Sequence, residues 1–563
     1  MSFPLVHPAG RARRVAAAAL TLHLAAAAAA GAAPPPVVHR VGAIATAHPL
    51  ASEAGLEVMA RGGNAVDAAV AAAAVLGVVE PGSSGPAGSG FLILYRAEDR
   101  QVRVLEFTGT APAAAPGAAY TRAAALRGPL APTVPGAVAG WAEAVRAHGR
   151  LPLATLLESA IHHAAEGFPL GPRAHRAIQE SAPILSPEAA RVFLPGGRAP
   201  EPGTLFRQPD LARTLREIAA GGPEALYRGA IGRRLVAFLR ARGGILDAAD
   251  LAAYRPRWVK PLTGRVGDLT VATVPPPGAG LIVVELLQAL EGEDLRTLGR
   301  GHAVLIHRQV EAFKLAMADF FRFVADPAFA PPFPPHLLSP ATAAERRRAV
   351  SRNRALPAIP APGPAESSHT TTVAAADAGG NMAVLTTSLI SGFGSGLLVP
   401  GTGVVLNNEM VLFNVGQTDG QGVNGIAAGK RPATPIAPTI LLQQGRPVLA
   451  LGAAGAYAIP QAIAQVAVNV TGFGMPLREA IAAPRFAYAG PGGILAGGAQ
   501  LYLEDGIPAA AAAALAALGH QVLHGEAGRR HTAGTVQALA FDRGRGVVEA
   551  AADPRGEGSA LGR

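Results

Sequence analysis

Cysteine is absent from the 563-residue chain. Its absence excludes disulfides, thiolate metal sites and cysteine nucleophiles together. Charge is scarce: 16% of residues are Asp, Glu, Lys or Arg, against 50% hydrophobic residues. Aromatic side chains are also few, at 5%. The net charge of +10 is scattered, and Arg346-Arg347-Arg348 and Arg529-Arg530 are among the densest basic runs. No stripe of Lys or Arg with interleaved aromatics occurs, so no nucleic-acid partner is expected. Beyond the amino terminus no uninterrupted apolar run reaches the ~18 residues of a membrane span. The Ala-rich stretch from Ala509 to Leu518 is too short for one and reads as a helix.

What is present is ample material for a large core, two to four domains' worth by length. The 68 Gly and 49 Pro imply many turns. At the amino terminus Arg11, Arg13 and Arg14 precede an apolar run from Val15 to about Ala30, closed by Gly31-Ala32-Ala33 and a Pro triplet. A basic segment, an apolar segment and small residues in that order describe a secretory signal peptide over residues 1–33. The run falls short of the ~20 residues of a spanning helix. The mature protein is expected to be exported, periplasmic or secreted, with no membrane span once the signal is removed.

The first half alternates short strands with helices. Gly42 to Pro49 reads as a strand ending in a turn, and Ala51 to Ala60 as a helix that breaks at Arg61-Gly62-Gly63-Asn64. The next helix, Ala65 to Leu76, is almost wholly Ala and Val; with no polar face it belongs in the interior. Asp67 in its first turn favours the helix N-terminus. The glycine-rich loop Pro81 to Gly90 follows a helix and precedes a strand, the reverse of a nucleotide-binding loop. A further strand spans Val102 to Phe107, and Leu151 to Leu298 is mostly helical. His162 and His163 are adjacent on a helix, so they point apart and make no metal pair. On the helix from Val310 to Val324, Glu311 with Lys314 and Asp319 with Arg322 have the spacing of local ion pairs. No cofactor and no metal are expected.

The first half is thus α-rich, and the second half is β-rich; the two are expected to form one globular unit. It opens on Glu366-Ser367-Ser368-His369-Thr370-Thr371-Thr372-Val373, a hydroxyl-rich junction after a Pro/Ala-rich loop. Such a stretch reads either as a polar turn opening a strand or as a place where the chain cuts itself and exposes a new amino terminus. Gly425 to Lys430 lacks the spacing and the Ser/Thr of a phosphate loop.

Several short motifs then fall in one order. They are His48-Pro49-Leu50-Ala51-Ser52, Gly62 to Ala68, Val79-Glu80-Pro81, Ser83-Ser84-Gly85, Val134-Pro135-Gly136, Glu166-Gly167-Phe168-Pro169 and Asp250 to Tyr254. The second half adds Leu406-Asn407-Asn408-Glu409-Met410, Lys430-Arg431-Pro432, Ala483-Pro484-Arg485-Phe486 and Ala552-Asp553-Pro554-Arg555. Together they resemble the γ-glutamyltransferases across almost the whole mature chain. The resemblance implies an α+β fold, the four-layer αββα sandwich of the amino-terminal-nucleophile hydrolases. It implies a precursor that cuts itself before a threonine, leaving a large fragment, 34–369, and a small one, 370–563, as a heterodimer. The freed threonine would then act through its hydroxyl, with its own α-amino group, of reference pKa ~7.7–8.0, as base.

Counting back from Asp377, Gly380 and Asn381 without gaps places that nucleophile at Thr370. Aligning on Ser367-Ser368-His369 instead needs an insertion and would give Ser367. Ser388 falls on the family's supporting threonine, and Gly455 and Ala456 on the glycine pair whose N–H groups form the oxyanion hole. Alanine keeps its N–H, so the hole survives where the backbone tolerates a Cβ.

The departures lie in substrate recognition. Thr108, after Phe107, replaces the arginine that grips the substrate carboxylate. Leu412 replaces the acid that holds its amine. Ile390 replaces an asparagine, Thr434-Pro435 a Ser-Ser pair, and Thr372 a histidine. Glu409 remains, beside Asn407 and Asn408. A zwitterionic glutamyl head needs a cation and an anion, and losing one partner of such a buried pair costs on the order of 2–5 kcal/mol. Three readings follow: a γ-glutamyl transferase or glutathione hydrolase, an acylase of the same family acting on a less polar small-molecule amide, and a non-catalytic exported binding or scaffold protein.

Overall fold

The computed structural model describes residues 38–39, 42–117, 120–357, 368–415, 422–488, 500–524, 533–542 and 545–563. The signal-peptide segment and Ser367 lie outside them. Among the described residues no helix is long and apolar enough to cross a membrane.

The elements that build the site are, in chain order, β1 (Val38–His39), β2 (Gly42–Thr46), α1 (Pro49–Ala60), α2 (Ala65–Val79), β3 (Ser89–Arg96) and β4 (Gln101–Glu106). There follow β5 (Arg257–Val259), β6 (Leu262–Val266), β7 (Leu269–Thr273), α3 (Gly280–Gln288) and α4 (Ala303–Phe323). The second half adds β8 (Ser368–Asp377), β9 (Met382–Ser391), β10 (Thr439–Gln443), β11 (Arg446–Ala454), α5 (Ala458–Thr471), β12 (Thr535–Asp542), β13 (Val547–Ala552) and β14 (Ser559–Gly562).

Two seven-stranded sheets result, of order β1-β13-β12-β11-β10-β7-β6 and β14-β2-β8-β9-β3-β4-β5. All their pairings are antiparallel. The alternating apolar residues of each sheet supply one face of a core between them: Ala43, Phe91, Ile93, Ala374 and Val384 meet Ala272, Ile440, Ala450 and Leu539. The opposite faces are covered by helices. α2 packs on the β8 side with Val373, Leu385 and Leu389. α3, α4 and α5 pack on the β11 side with Leu449, Leu451 and Ala453. This is the αββα layering.

The all-apolar reading of α2 holds: each of its 15 residues is buried. Asn64 and Asp67 close its first turn as a capping box, which satisfies backbone donors no water can reach. The expected α-rich and β-rich halves interleave, because β8 and β9 insert between β2 and β3 of the first half. The Glu311–Lys314 pair forms at 2.7 Å. Asp319 pairs instead with Arg346, which reaches it from the helix Pro340–Ala349.

Candidate active site

The hydroxyl-rich stretch is the start of β8, and its register is set from the far end of the hairpin. Asn381 Nδ2 donates to both oxygens of Asp377, at 3.1 and 2.9 Å. Asp377 Oδ2 also accepts from Ala65 N–H at 3.0 Å, and Asn381 Oδ1 from Ala97 N–H at 3.0 Å. The turn is thereby pinned to α2 and to the β3–β4 connection. From that anchor the ladder pairs Thr372 with Thr386 and Thr370 with Ser388, and a bulge falls between His369 and Thr370. A bulge re-aims side chains and bends the strand, as often occurs beside reactive sites.

Thr370 and Ser388 are both buried. Their hydroxyl oxygens lie 3.0 Å apart. Ser388 Oγ donates to the His369 carbonyl oxygen at 2.7 Å and accepts from Ile390 N–H at 2.8 Å. A hydroxyl has one proton, so Thr370 must be the donor toward Ser388. A directed chain runs from Thr370 O–H to Ser388 O–H to the carbonyl of the peptide bond that precedes Thr370. Ile390, which supplies the third contact, has φ 81°, an unfavourable conformation for a β-branched residue.

β11 crosses the same region from the other sheet. A Cβ at Gly452 would lie 2.1 Å from Thr372 Oγ1, so only glycine lets the strands approach. Directly after the end of β11 come Gly455, at φ 134°, and Ala456, at φ 51°. A Cβ on Gly455 would lie 2.9 Å from Gly534 Cα. Ala456 holds the left-handed conformation despite its Cβ, a strain that a non-glycine residue keeps only where its surroundings enforce it. Gly534 is fixed in turn by Arg485, whose Nη2 donates to Gly534 O at 2.7 Å and to Asp553 Oδ2 at 2.6 Å. Arg485 and Asp553 are fully buried. The Ala-Pro-Arg-Phe and Asp-Pro-Arg motifs thus buttress the loop that presents the two amides.

The remaining sequence-predicted residues serve unequal roles. Glu409 Oε2 accepts from Gly109 N–H at 2.8 Å and meets Thr133 Oγ1 at 2.9 Å. Burial pushes the Glu409 carboxyl above the ordinary range. Thr133 Oγ1 also lies 3.1 Å from Asn407 Oδ1, so its single proton is shared between two acceptors. Asn407 Nδ2 binds Ala87 O at 2.9 Å and Asn408 Nδ2 binds Leu126 O at 2.9 Å, so this triplet fastens loops together. Thr108 Oγ1 donates to Glu106 Oε1 at 2.8 Å, and Thr108 O accepts from Arg431 Nη1 at 2.8 Å. The hydroxyl at the family's arginine position is therefore taken up by the Glu106 network. Thr434 N–H donates to Pro277 O at 2.8 Å; its buried hydroxyl has no partner among the described residues.

Leu412 and Ile390 pack against one small cluster of Ala111, Ala115, Met410, Val411 and Phe413. Beside it a cavity is walled by Phe320, Phe321, Leu412, Asn414, Ala433, Tyr457 and Arg122. Arg122 Nη1 donates to Val411 O at 3.0 Å, and its buried Nε has no partner among the described residues. Arg122 and the aromatic wall carry no motif signature; only Tyr457, directly after the Gly455-Ala456 pair, could have been read from its place in the sequence.

The gamma-glutamyltranspeptidase family profile matches residues 51–563. The chain belongs to that family. It is 38% identical over 534 residues to the acylase ACY 1 proenzyme of Pseudomonas sp. (strain SE83), covering 92% of this chain and 93% of that protein. It is 30% identical over 554 residues to the glutathione hydrolase proenzyme of Bacillus subtilis (strain 168), covering 93% and 92%. Among solved structures, the cephalosporin acylase from Bacillus halodurans superposes with a TM-score of 0.85 at 30% identity, covering 100% of this chain and 99% of that one. The gamma-glutamyltranspeptidase family thus includes both kinds of relative, and the αββα layers and motif order of this chain are those of the family.

Proposed function

We propose that the chain is an exported proenzyme, cut before Thr370 into fragments 34–369 and 370–563, and that Thr370 then hydrolyses or transfers the acyl group of a small-molecule amide. What carries the reading is the hydrogen-bond chain from Thr370 Oγ1 through Ser388 Oγ to His369 O. In the precursor, Thr370 Oγ1 attacks the His369 carbonyl carbon. Its proton passes to Ser388, whose own proton goes to the carbonyl oxygen. The C–N bond breaks, Thr370 nitrogen takes a proton, and water hydrolyses the resulting ester to free the His369 carboxylate and the Thr370 amine.

In the mature enzyme the Thr370 α-amino group accepts the hydroxyl proton as Oγ1 attacks a substrate amide. The Gly455 and Ala456 N–H groups serve the tetrahedral oxyanion, and the leaving amine departs with the proton. Water or a second amine then takes the acyl group from Thr370.

The substrate is an acyl amide less polar than a glutamyl one. Leu412 fills the position of the acid that holds the substrate amine, Ile390 that of an asparagine, and the Thr108 hydroxyl is engaged by Glu106. The sequence similarity to an acylase points the same way.

Two measurements test the reading. A denaturing gel should resolve fragments of about 34 and 20 kDa, the chain mass divided by length at the cut that a threonine nucleophile makes before itself. Thr370→Ala should leave one band, while Ser367→Ala should mature normally. In turnover assays an acyl-p-nitroanilide without α-amino and α-carboxyl groups should surpass γ-glutamyl-p-nitroanilide. A clear preference for the glutamyl substrate would reject the acylase reading. Persistence of a single band on long incubation would reject Thr370 as a working nucleophile.

A further inference from the structure

Four ionisable side chains that the chemistry at Thr370 leaves unused are buried together. His307, Glu311 and Lys314 come from successive turns of α4, and His520 follows the helix Ala509–Ala517. Their partners fix the hydrogens. Ser351 O only accepts, so His307 Nε2, at 2.7 Å, donates to it. A neutral His307 then accepts at Nδ1, and His520 Nε2, at 2.8 Å, is the donor. Glu311 Oε1 takes Lys314 Nζ at 2.7 Å, and Oε2 takes Leu356 N–H at 2.6 Å. Lys314 Nζ also donates to Leu356 O at 2.9 Å, and Ala355 N–H donates to Leu518 O at 2.7 Å.

His307, Glu311 and His520 offer donor atoms within 4.8 Å of one another, close enough for a metal ion. The hydrogen bonds argue otherwise. The lone pair of His307 Nδ1 is engaged by His520, and the Lys314 ammonium sits on the carboxylate oxygen an ion would need. What the cluster grips is main chain: the carbonyl of Ser351 and both polar groups of Leu356, while the neighbouring Leu518 carbonyl takes the N–H of Ala355. These residues are the last described stretch before Ser368, on the large-fragment side of Thr370. Leu518 and His520 lie on the small-fragment side.

We propose that His307, Glu311, Lys314 and His520 form a docking site for main chain, which keeps the large fragment's carboxy-terminal tail folded against α4, beside Leu518 and His520 of the small fragment, after the cut. The inference rests on the cut before Thr370. Before cutting, the tail is tethered covalently to β8 as well; afterwards it is a free end, and these bonds oppose its release. Because the cluster engages backbone groups, it reads chain conformation rather than tail sequence.

The test uses the full chain carrying Thr370→Ala and a site-specific protease sequence in place of residues 360–365, so that it can be cut at will. Hydrogen–deuterium exchange is followed at Ala355 and Leu356. Slowed exchange should survive the cut. Glu311→Leu with Lys314→Met, an apolar pair of similar size that preserves folding, should speed exchange at Leu356 at least tenfold. Leu356→Pro, which removes the N–H, should release the tail as judged by exchange at Ala355, and Arg354→Ala should change nothing. Loss of protection on cutting, or indifference to the Glu311/Lys314 pair, would overturn the docking site. So would protection that appears only with added zinc and vanishes with a chelator. A wild-type chain that stays in one piece would instead sink the self-cutting reading, and the protease-cut protein would still report on docking.

Discussion

Ser388→Ala is the most informative single change, because one side chain holds both ends of the proposed cut. It removes the donor 2.7 Å from the His369 carbonyl oxygen and the acceptor 3.0 Å from Thr370 Oγ1. Loss of one preorganised donor to a developing oxyanion costs about 10²–10³ in rate, or about 2.7–4 kcal/mol. Loss of the proton acceptor acts on the same step, so the two effects should not be added, and ~10³ is the expected slowing of self-cutting. Fold stability should suffer far less: the partly buried Ile390 N–H loses its acceptor, a cost of at most ~1–3 kcal/mol. The assay is a time course of freshly purified precursor on a denaturing gel, with mass spectrometry of the small fragment and circular dichroism as the folding control. Ser388→Thr retains the hydroxyl and should mature within about tenfold of wild type, well inside the ~10³ expected from removing the hydroxyl altogether. Maturation of a folded Ser388→Ala at close to the wild-type rate would refute the proton chain and leave Ser388 a packing residue.

Three further outcomes follow from the same geometry. Ile390→Gly removes a half-buried side chain but also relieves the strain of φ 81°, worth roughly 1–3 kcal/mol, so denaturant unfolding should place it within about 1 kcal/mol of wild type. A loss above about 3 kcal/mol would mean the strain is not there. Leu412→Asp returns an anion to the amine position. Because a charged hydrogen bond is worth about 1.5–3 kcal/mol, it should raise kcat/KM for γ-glutamyl-p-nitroanilide, relative to the des-amino analogue, by about tenfold or more. An unchanged ratio would show that this position does not face the acyl group. His520 is pushed down from 6.5 to about 4, by burial first and then by Lys314 and His307; the charges facing it also include Glu311. The folded ring therefore holds fewer protons than the unfolded one between those values, so its contribution is complete above pH 6.5 and is lost as pH falls toward about 4. His520→Asn should flatten that part of a stability–pH profile, and an unaltered slope would exclude His520 as its source.

The sequence carried the layers and the reactive strand because those depend on patterns that survive substitution. A helix with no polar face, Ala65–Val79, has to be interior. Asp377 and Asn381 mark the register of Thr370 because they tie the hairpin turn to Ala65 and Ala97. What could not be read were relations between distant segments. Nothing near position 108 indicates that its hydroxyl will be claimed by Glu106 or its carbonyl by Arg431. Arg122 and Phe320 reach one cavity from helices far apart in the chain. Asp319 had an acceptable local partner in Arg322, yet Arg346 takes it, because a tertiary neighbour outcompetes one on the same helix face.

These contrasts account for how a family can keep one reaction while exchanging substrates. The proposed reactive end is built mostly from backbone: a bulge before Thr370, a carbonyl oxygen on His369, amides at Gly455 and Ala456, and a ladder that sets Thr370 opposite Ser388. Such a site accepts serine for threonine and alanine for glycine, because the atoms that act are unchanged. A recognition pocket for a charged head group is built from side chains, and each point substitution there removes a whole charge. On the proposed reading Thr108 and Leu412 are two such substitutions; Glu106 engages the threonine hydroxyl and an apolar cluster receives the leucine. Restoring glutamyl preference should therefore be harder at position 108, where the Glu106–Arg431 network would have to open, than at position 412, where the side chain borders a cavity.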